Sequence, residues 1–328
     1  MNTTKNNKTA ENVVETKDLT KAFGEEIAVQ SLNMYVPRGK IFGFIGPSGC
    51  GKTTTVRLLT GFYKPTSGTA TVLGKNPFTF SKSDREKIGY LIQNFVLYPE
   101  LTVWENLNFA ASLYGVTPFR QKRLNKLLNF VELEGDANKL ASNLSGGMKR
   151  RLSLAATMVH NPELLFLDEP TAGIDPILRR KFWDYFEELQ AEGHTLVVTT
   201  QYVGEAAYCD LVGVMYEGRL LMVDTPEELR KRAFGGEIVG IRTTEGLRLE
   251  QRHQLESLPF VHGKVKIIND QEVEIIVDEA STAIPSLLEW TKAKRLNVET
   301  IEEKSAPFDD VFVRVIEQET ANKETANV

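Results

Sequence analysis

The stretch from Gly46 to Thr54, GPSGCGKTT, constrains the fold of this chain more than any other. It follows an apolar run, KIFGFIG, and leads into a predicted helix from Thr53 to Thr60, with Gly61 as the C-terminal cap. A glycine, four residues and Gly-Lys-Thr form a turn whose free backbone N–H groups face phosphate oxygens at the positive end of the following helix. A strand, a phosphate loop and a helix in this order predict an α/β domain with a largely parallel sheet.

The whole phosphate loop is predicted to contact a nucleotide, through Gly46, Pro47, Ser48, Gly49, Cys50, Gly51, Lys52, Thr53 and Thr54. Lys52 is expected to reach the β- and γ-phosphates as a point charge, and the Thr53 hydroxyl is expected to ligate Mg²⁺. The alternative is a glycine-rich turn that carries an unrelated lysine. Because the strand and the helix stand where the motif requires them, the sequence favours ATP and Mg²⁺ as ligands.

A second motif, LLFLDEP, runs from Leu164 to Pro170 and predicts a buried strand with carboxylates at its tip. Asp168 is placed to hold the Mg²⁺ shell, and Glu169 is free to polarise a water molecule as a general base. Gln93 and Gln201 end two further apolar runs, KIGYLIQ and TLVVTTQ. Ligands of open α/β sheets sit at the carboxyl ends of strands, so these groups are expected to converge. The alternative is that Asp-Glu-Pro opens an ordinary surface loop.

The stretch NLSGGMKRR, from Asn143 to Arg151, has the character of a second phosphate site. Ser145 is predicted to cap a helix whose first amides are left bare by Gly146 and Gly147. The sequence carries no second phosphate loop to accompany it. Three cations lie in the first turns of this helix, and they are expected to form either a solvated face or an electrostatic support: Lys149, Arg150 and Arg151.

Composition places the chain among ordinary globular proteins and excludes several classes. It has 328 residues. The net charge of −5 argues against a nucleic-acid binder, and the two cysteines, which are far apart in the sequence, argue against a disulfide framework. No apolar run approaches the roughly 20 residues that a membrane helix needs. The predicted layout is a disordered tail over 1–12, an α/β domain over 13–234, a small α+β domain over 235–317 and a disordered tail over 318–328. His194, in the turn before TLVVTT, is expected to be exposed.

These motifs make the chain resemble the ATP-binding subunit of ABC transporters, over roughly Val13 to Leu229. The phosphate loop, Gln93, the LSGG signature, the LLFLDEP run and an Asp loop ending at Asp175 occur in the order of that family. The resemblance implies that two ATP-binding domains pair head to tail, so that the signature of one closes over the ATP held by the other. One phosphate loop and one signature per chain then imply a homodimer or a paired homologous ATPase.

The resemblance also implies roles for individual residues. Gln93 senses Mg²⁺ and the attacking water, Asp175 joins the nucleotide-binding set, and Phe23 stacks on adenine unless it is a core residue. Two positions depart from the family pattern: Met148 replaces the usual Gln after LSGG, and Gln201 replaces a switch histidine. The TTQY sequence around Gln201 is similar to that of drug-resistance exporters of the daunorubicin-resistance kind.

For the whole protein, the resemblance implies a peripheral ATPase at the cytoplasmic face of the cell membrane that powers export through a separate integral-membrane permease. Aromatic residues after Gln93 are expected to form a helical core, with some exposed for the permease among Phe95, Tyr98, Leu101 and Trp104. The second domain resembles an extension found in that branch, and Asp309 or an upstream residue is expected to cap its last helix. Two alternatives stay open: a soluble ABC-type ATPase that acts on a macromolecular assembly, and a non-hydrolysing half-site paired with an active partner.

Overall fold

The computed structural model describes residues 11–94, 96–117 and 119–326. The chain divides into two units, and the boundary along the sequence lies between Val223 and Asp224. The sequence placed this boundary after Phe234. The helix Pro226–Phe234 is grouped with the second unit because it packs on the last helix of the chain.

The first unit alternates strands and helices. Its strands are β1 (Asn12–Phe23), β2 (Glu26–Pro37), β3 (Ile41–Ile45), β4 (Ser67–Val72), β5 (Ile88–Leu91), β6 (Leu164–Asp168), β7 (Thr195–Thr200), β8 (Leu211–Tyr216) and β9 (Arg219–Asp224). Its helices are α1 (Lys52–Leu59), α2 (Lys82–Arg85), α3 (Val103–Leu113), α4 (Arg120–Phe130), α5 (Gly146–Met158) and α6 (Pro176–Ala191).

The main sheet has the order β5-β6-β7-β3-β8-β9 among the described residues, and its first five strands run parallel. Strands β3, β6 and β7 are buried along their whole length, as expected for apolar runs without alternation in a sheet covered on both faces. The parallel α/β fold predicted from the sequence is confirmed. The strand order sets the carboxyl ends of β5, β6, β7 and β3 side by side at one edge of the sheet.

A smaller antiparallel sheet, β2-β1-β4, shares a hydrophobic core with the main sheet. Leu19 and Leu32 from the small sheet join Phe44 and Phe166 from the main sheet, and all four side chains are fully buried. Strand β1 begins at Asn12, the last residue of the predicted N-terminal tail. The other tail residues up to 10 lie outside the described part of the chain.

Helices α3, α4 and α5 pack on one another and form the helical part of the first unit. Thr102 and Glu105 form a reciprocal capping box at the start of α3. Ser145 caps α5 as predicted, because its Oγ accepts a hydrogen bond from the Met148 N–H at 3.2 Å.

The second unit has the small α+β fold that the sequence predicts. Its elements are α7 (Pro226–Phe234), β10 (Glu237–Thr243), α8 (Leu249–Glu256), β11 (Val261–Ile267), β12 (Glu272–Val277), α9 (Ala280–Ala293), β13 (Val298–Lys304) and α10 (Phe308–Ala326). The strands form an antiparallel sheet in the order β11-β12-β10-β13. Val239, Ile241, Ile275 and Leu287 lie at the centre of its own core.

The structure decides two local expectations about the last helix. Asp309 lies in the first turn of α10, so the helix begins before it. This agrees with the second of the two predicted options, an upstream residue as the cap. The helix also continues to Ala326, so the prediction of a disordered tail from residue 318 is wrong for the residues that the structure describes. The Glu, Ala and Lys residues of this segment are strong helix formers, which favours continuation of the helix.

Candidate functional site

The phosphate loop joins β3 to α1, and its conformation depends on three glycines. Gly49 and Gly51 have φ angles of 81° and 105°, and a Cβ atom on Gly46 would lie 2.1 Å from a backbone carbonyl oxygen of β8. Lys52 is buried, and its Nζ donates to the carbonyl oxygens of Gly46 at 2.7 Å and Pro47 at 2.9 Å. The loop therefore presents a cation and the bare amides of a helix start at one place, as phosphate binding requires.

The other residues of the loop differ in exposure. Ser48 is exposed, Thr53 and Thr54 are half-buried, and Cys50 is buried. Burial raises the pKa of the Cys50 thiol above its ordinary value, although Lys52 beside it acts in the opposite direction. The thiol therefore stays neutral near pH 7 and adds no negative charge beside the predicted phosphates.

Asp168 ends β6 with its side chain buried at 1% exposure. Its Oδ1 accepts hydrogen bonds from Thr53 Oγ1 at 3.0 Å and from Thr199 Oγ1 at 2.6 Å. The fold thus brings together two of the predicted Mg²⁺ ligands, Thr53 and Asp168, which are 115 positions apart in the sequence. Burial, together with the nearby Asp168 carboxylate, raises the pKa of Tyr90 to about 12, so this hydroxyl keeps its proton.

Glu169 follows β6 with a φ of 47°, a left-handed conformation that is uncommon for a residue with a side chain. Its N–H lies 3.1 Å from the Thr199 carbonyl oxygen and 3.0 Å from Thr199 Oγ1, and both contacts hold this conformation. Gln93 Nε2 donates to Glu169 Oε2 at 2.9 Å. The predicted general base is therefore positioned by a side chain from a neighbouring strand end. A carboxylate held in this way is suited to accept a proton from a water molecule.

Gln201 is exposed and follows β7, the strand that lies between β6 and β3. This strand order places it between the end of β6 and the phosphate loop. Further along, the buried Glu205 accepts a hydrogen bond from Thr171 Oγ1 at 2.7 Å, which links the segment after Gln201 to the segment after Glu169. Thr171, Glu205 and Thr199 could not be identified from the sequence, because single hydroxyl and carboxylate residues give no recognisable pattern.

Phe23 lies at the end of β1 and is 45% exposed, so it is not a core residue. Its ring packs edge-on against Tyr63, with centroids 5.2 Å apart, and Lys21 Nζ lies 4.9 Å from its centroid. The cluster offers an exposed aromatic surface, which is the property an adenine platform needs. Tyr63 is a further member of this cluster, and no sequence pattern marks it.

The signature residues face outward. Ser145 and Gly146 are exposed, and a Cβ atom on Gly146 would meet nothing within 4 Å. Gly147 is half-buried against the end of the Leu178 side chain. Within the described ranges no hydrogen bond joins Ser145 to the phosphate loop, so the two predicted phosphate sites do not meet in this way inside one chain.

Asp175 has a structural task in addition to its predicted place in the nucleotide site. Its Oδ1 accepts hydrogen bonds from the N–H groups of Ile177 and Leu178, both at 3.0 Å, and Pro176 occupies the first turn of α6. The carboxylate therefore caps α6. Ile177 beside it is 77% exposed.

Arg150 is placed differently from the solvated face that was one of the two expectations. It is 3% exposed and reaches across the first unit to backbone carbonyls at the ends of β5 and β6. Arg151 instead donates to the carbonyl oxygens of Val131 and Glu132, at 3.0 and 3.2 Å. The pattern of the sequence does not distinguish these neighbours, because only the packing of α5 decides which one points inward.

His194 is buried, so its predicted exposure is wrong. Its Nδ1 lies 2.6 Å from the Pro162 carbonyl oxygen, a distance that fits a hydrogen bond. The turn before β7 folds against the turn before β6, which removes the ring from solvent.

An apolar groove lies beside the end of β5, between the segment after Gln93 and helices α3 and α5. It is lined by exposed rings and aliphatic side chains, including Tyr98, Phe109, Val96 and Leu113. The Tyr98 and Phe109 rings pack edge-on with centroids 4.8 Å apart. Leu101 and Trp104 are half-buried, and Phe95 lies outside the described residues. A larger cavity, about 900 Å³, lies between α4 and α6 and contains none of the predicted site residues.

A phosphate loop, a buried aspartate beside its threonine and a Glu–Gln pair at one edge of a parallel sheet define a P-loop ATPase. The model of the ABC transporter family matches residues 29–172. The Escherichia coli protein named Probable multidrug ABC transporter ATP-binding protein YbhF is 41% identical over 228 residues, which are 69% of this chain and 39% of that protein. The Bacillus subtilis Linearmycin resistance ATP-binding protein LnrL is 30% identical over 305 residues, which are 92% of this chain and 98% of that protein.

Solved structures give the same result. A dimeric, post-hydrolysis ATP-binding cassette bound to ADP and Pi matches with a TM-score of 0.59 and 29% identity, covering 65% of this chain and 98% of that one. The chain therefore belongs to the ABC transporter family, and its first unit carries the ATP-binding ATPase domain of that family. Along the described ranges, no helix has both the length and the apolar character to cross a membrane.

Proposed function

We propose that this chain binds and hydrolyses ATP with Mg²⁺ and thereby powers export by a separate integral-membrane permease. The observation that carries this proposal is the hydrogen bond of 2.9 Å between Gln93 and Glu169, at the sheet edge where Thr53 and Asp168 also meet. A structural ion network would not need a general base, an amide that orients it and a phosphate loop at one edge. The chain spans 39% of the length of YbhF, and its activity, substrate and partners as a whole protein are part of the proposal.

The residues present fit Mg²⁺ together with ATP. Thr53 Oγ1 and Asp168 Oδ1 lie 3.0 Å apart and are hard oxygen donors, and Gln93 supplies an amide oxygen nearby. Mg²⁺ in phosphate sites takes one or two protein ligands and completes its shell with phosphate and water oxygens. The bound ion would neutralise charge on the β- and γ-phosphates.

Each residue of the site has a task in hydrolysis. The Lys52 ammonium leaves the loop carbonyls and stabilises charge on the γ-phosphate, while the loop amides hold the β-phosphate. Glu169 accepts a proton from the attacking water, and Gln93 keeps its carboxylate in position. Gln201 donates its amide to a phosphate oxygen, and it carries no charge at any pH. Phe23 provides the surface on which adenine stacks.

A second ATPase domain completes the site. The exposed Ser145, Gly146 and Gly147 offer a hydroxyl and bare amides, which suit the γ-phosphate of ATP bound to a partner domain. The dimeric cassette that resembles this chain supports pairing of two such domains. The partner is a second copy of this chain or a homologous ATPase.

The membrane partner is proposed from the groove and from the relatives. The exposed Tyr98 and Phe109 rings form an apolar surface next to Gln93, where a permease segment would reach the Gln93–Glu169 pair. The relatives are named for multidrug transport and for linearmycin resistance. We place the chain at the cytoplasmic face of the cell membrane, bound to a permease of the export type.

Replacing Gln201 tests its assigned role. Gln201→Ala is expected to lower kcat about tenfold, because one hydrogen bond to a charged phosphate oxygen is lost, while the Kd for ATP changes less than about twofold. Phosphate release and nucleotide-binding titrations measure the two quantities. Equal losses in turnover and in binding would contradict the assignment.

The test of the whole proposal is a pull-down from membranes with the full-length Glu169→Gln variant in ATP and Mg²⁺, with a nucleotide-free sample as the control. The variant is expected to hold closed dimers and to retain a polytopic membrane protein only when ATP is present. Recovery of soluble partners alone, with ATP-dependent dimers still forming, would favour the soluble ABC-type ATPase. An absence of turnover in the unmodified chain would favour the non-hydrolysing half-site.

A further inference from the structure

The Arg150 guanidinium occupies an unusual environment for a cation. Its side chain is buried, and its Nε, Nη1 and Nη2 atoms donate to five backbone carbonyl oxygens, those of Ile92, Gln93, Asp168, Glu169 and Pro170. The donor–acceptor distances are 2.8 Å to the carbonyl oxygen of Pro170, 3.0 Å to that of Ile92, 2.9 Å to that of Gln93 and 3.1 Å to that of Asp168. A guanidinium has five N–H donors in a fixed planar fork, so these carbonyls match its full capacity.

The charge of Arg150 survives this burial. Desolvation lowers the pKa of its guanidinium to about 10, and the carboxylates of Asp168 and Glu169 counteract that shift. The side chain therefore remains a cation near pH 7. A neutral or shorter replacement would leave several buried carbonyl oxygens without donors, which is costly.

Three segments meet at this one side chain. Ile92 and Gln93 follow β5, and Asp168 to Pro170 end and follow β6. Arg150 itself belongs to α5, the helix that Ser145 caps. One end of this rigid helix carries the signature, and less than two turns later the same helix holds the backbone of Gln93 and of Glu169.

The contacts reach the reacting pair through its backbone. The Gln93 side chain donates to Glu169 Oε2, and the carbonyl groups of both residues accept from Arg150. A shift of Arg150 would therefore move the base and the amide that orients it together. Misplacement of a base by about 1 Å costs on the order of 10²-fold in rate.

We propose that Arg150 is a positioning residue that fixes the Gln93–Glu169 pair to the signature helix, so that the signature and the water-activating pair of one chain move as one body. The inference rests on the proposed function, because it assigns Glu169 to hydrolysis. When the signature of this chain engages ATP in the partner's site, the signature helix is displaced. Arg150 transmits that displacement to Glu169, the base of the chain's own site. The two ATP sites of a dimer are thereby coupled through each chain.

The experiment compares three variants of the full-length chain. Arg150→Met keeps the length of the side chain and removes its donors, and Arg150→Lys keeps the charge with three donors. Arg123→Met is the matched control, because Arg123 is a partly buried arginine that donates to the Met158 carbonyl oxygen at the other end of α5. Steady-state kcat and KM for ATP, nucleotide Kd and thermal unfolding are measured for each.

Arg150→Met is expected to lower kcat about 100-fold, with KM and Kd for ATP changed less than about threefold, because positioning acts on the chemical step. Arg150→Lys is expected to recover part of this loss, and Arg123→Met to keep kcat within about threefold of the unmodified chain. If Arg150→Met does not fold, Arg150→Lys decides by the same separation of kcat from KM. Two outcomes overturn this inference alone, provided that the unmodified chain is active. One is an unchanged kcat in the Arg150 variants, and the other is a loss of ATP affinity as large as the loss of kcat. An inactive unmodified chain overturns it together with the proposed hydrolysis.

Discussion

Glu169→Gln is expected to lower ATP turnover by roughly 10²–10⁴-fold, the contribution of a positioned general base. Glutamine keeps the shape of the side chain and an oxygen that can accept from Gln93, but it cannot take a proton from water. The Kd for ATP should change little, since the phosphate loop is untouched. Phosphate release under saturating ATP and a binding titration with the same preparation measure the two effects.

Glu163→Gln is a suitable control for this experiment. Glu163 precedes β6 at the opposite end of the strand and forms surface ion pairs with Arg38 and Lys87. Its replacement removes a carboxylate from the same strand region without touching the site, and turnover should stay within about twofold because exposed pairs contribute little. A Glu169→Gln variant that turned over ATP as fast as this control would remove Glu169 from its proposed role.

Gly46→Ala is expected to weaken ATP binding by roughly 10–100-fold. A Cβ atom at this position would lie 2.1 Å from the Met215 carbonyl oxygen and 2.8 Å from Cys50 Sγ, so the phosphate loop must shift. Overpacking of this kind costs about 1–3 kcal/mol. Because the displaced loop is itself the binding site, this cost appears as a loss of ATP affinity of roughly 10–100-fold. Nucleotide titration of the purified variant, with a thermal unfolding curve, measures the effect.

Gly135→Ala is the matched control, because a Cβ atom on Gly135 meets nothing within 4 Å and its φ is not positive. Its ATP affinity and unfolding temperature should remain those of the unmodified chain. Unchanged ATP affinity in Gly46→Ala would mean that the loop adopts a different conformation when it binds nucleotide, and the geometric argument would then fail.

The motifs that could be identified from the sequence are those whose chemistry is local. GPSGCGKTT folds as predicted because its glycines and the start of the following helix lie within nine consecutive residues and need no distant partner. LLFLDEP gives a buried strand ending in carboxylates for the same reason. The Ser145 cap of α5 is also a contact between near neighbours in the chain.

Contacts between residues that are far apart in the sequence could not be predicted from local motifs. His194 was expected to be exposed, but its ring forms a hydrogen bond with the Pro162 carbonyl group. That group belongs to another turn, 32 positions away. The extension of α10 to Ala326 is an error of the opposite kind, because it concerns a local feature. The polar composition led to the prediction of a disordered tail, whereas the helix propensity of the same residues was sufficient to form a helix.

The sequence by itself determined a parallel α/β ATPase fold, the position of the phosphate loop and the identity of the carboxylates at the end of β6. Only the tertiary structure decided that Gln93 orients Glu169 across 76 positions, and that Arg150 rather than Arg151 holds both. The physical reason is that short-range turns, caps and apolar periodicity are encoded by adjacent residues. The inward direction of one arginine depends instead on how α5 packs against the strand ends that supply its five carbonyl acceptors.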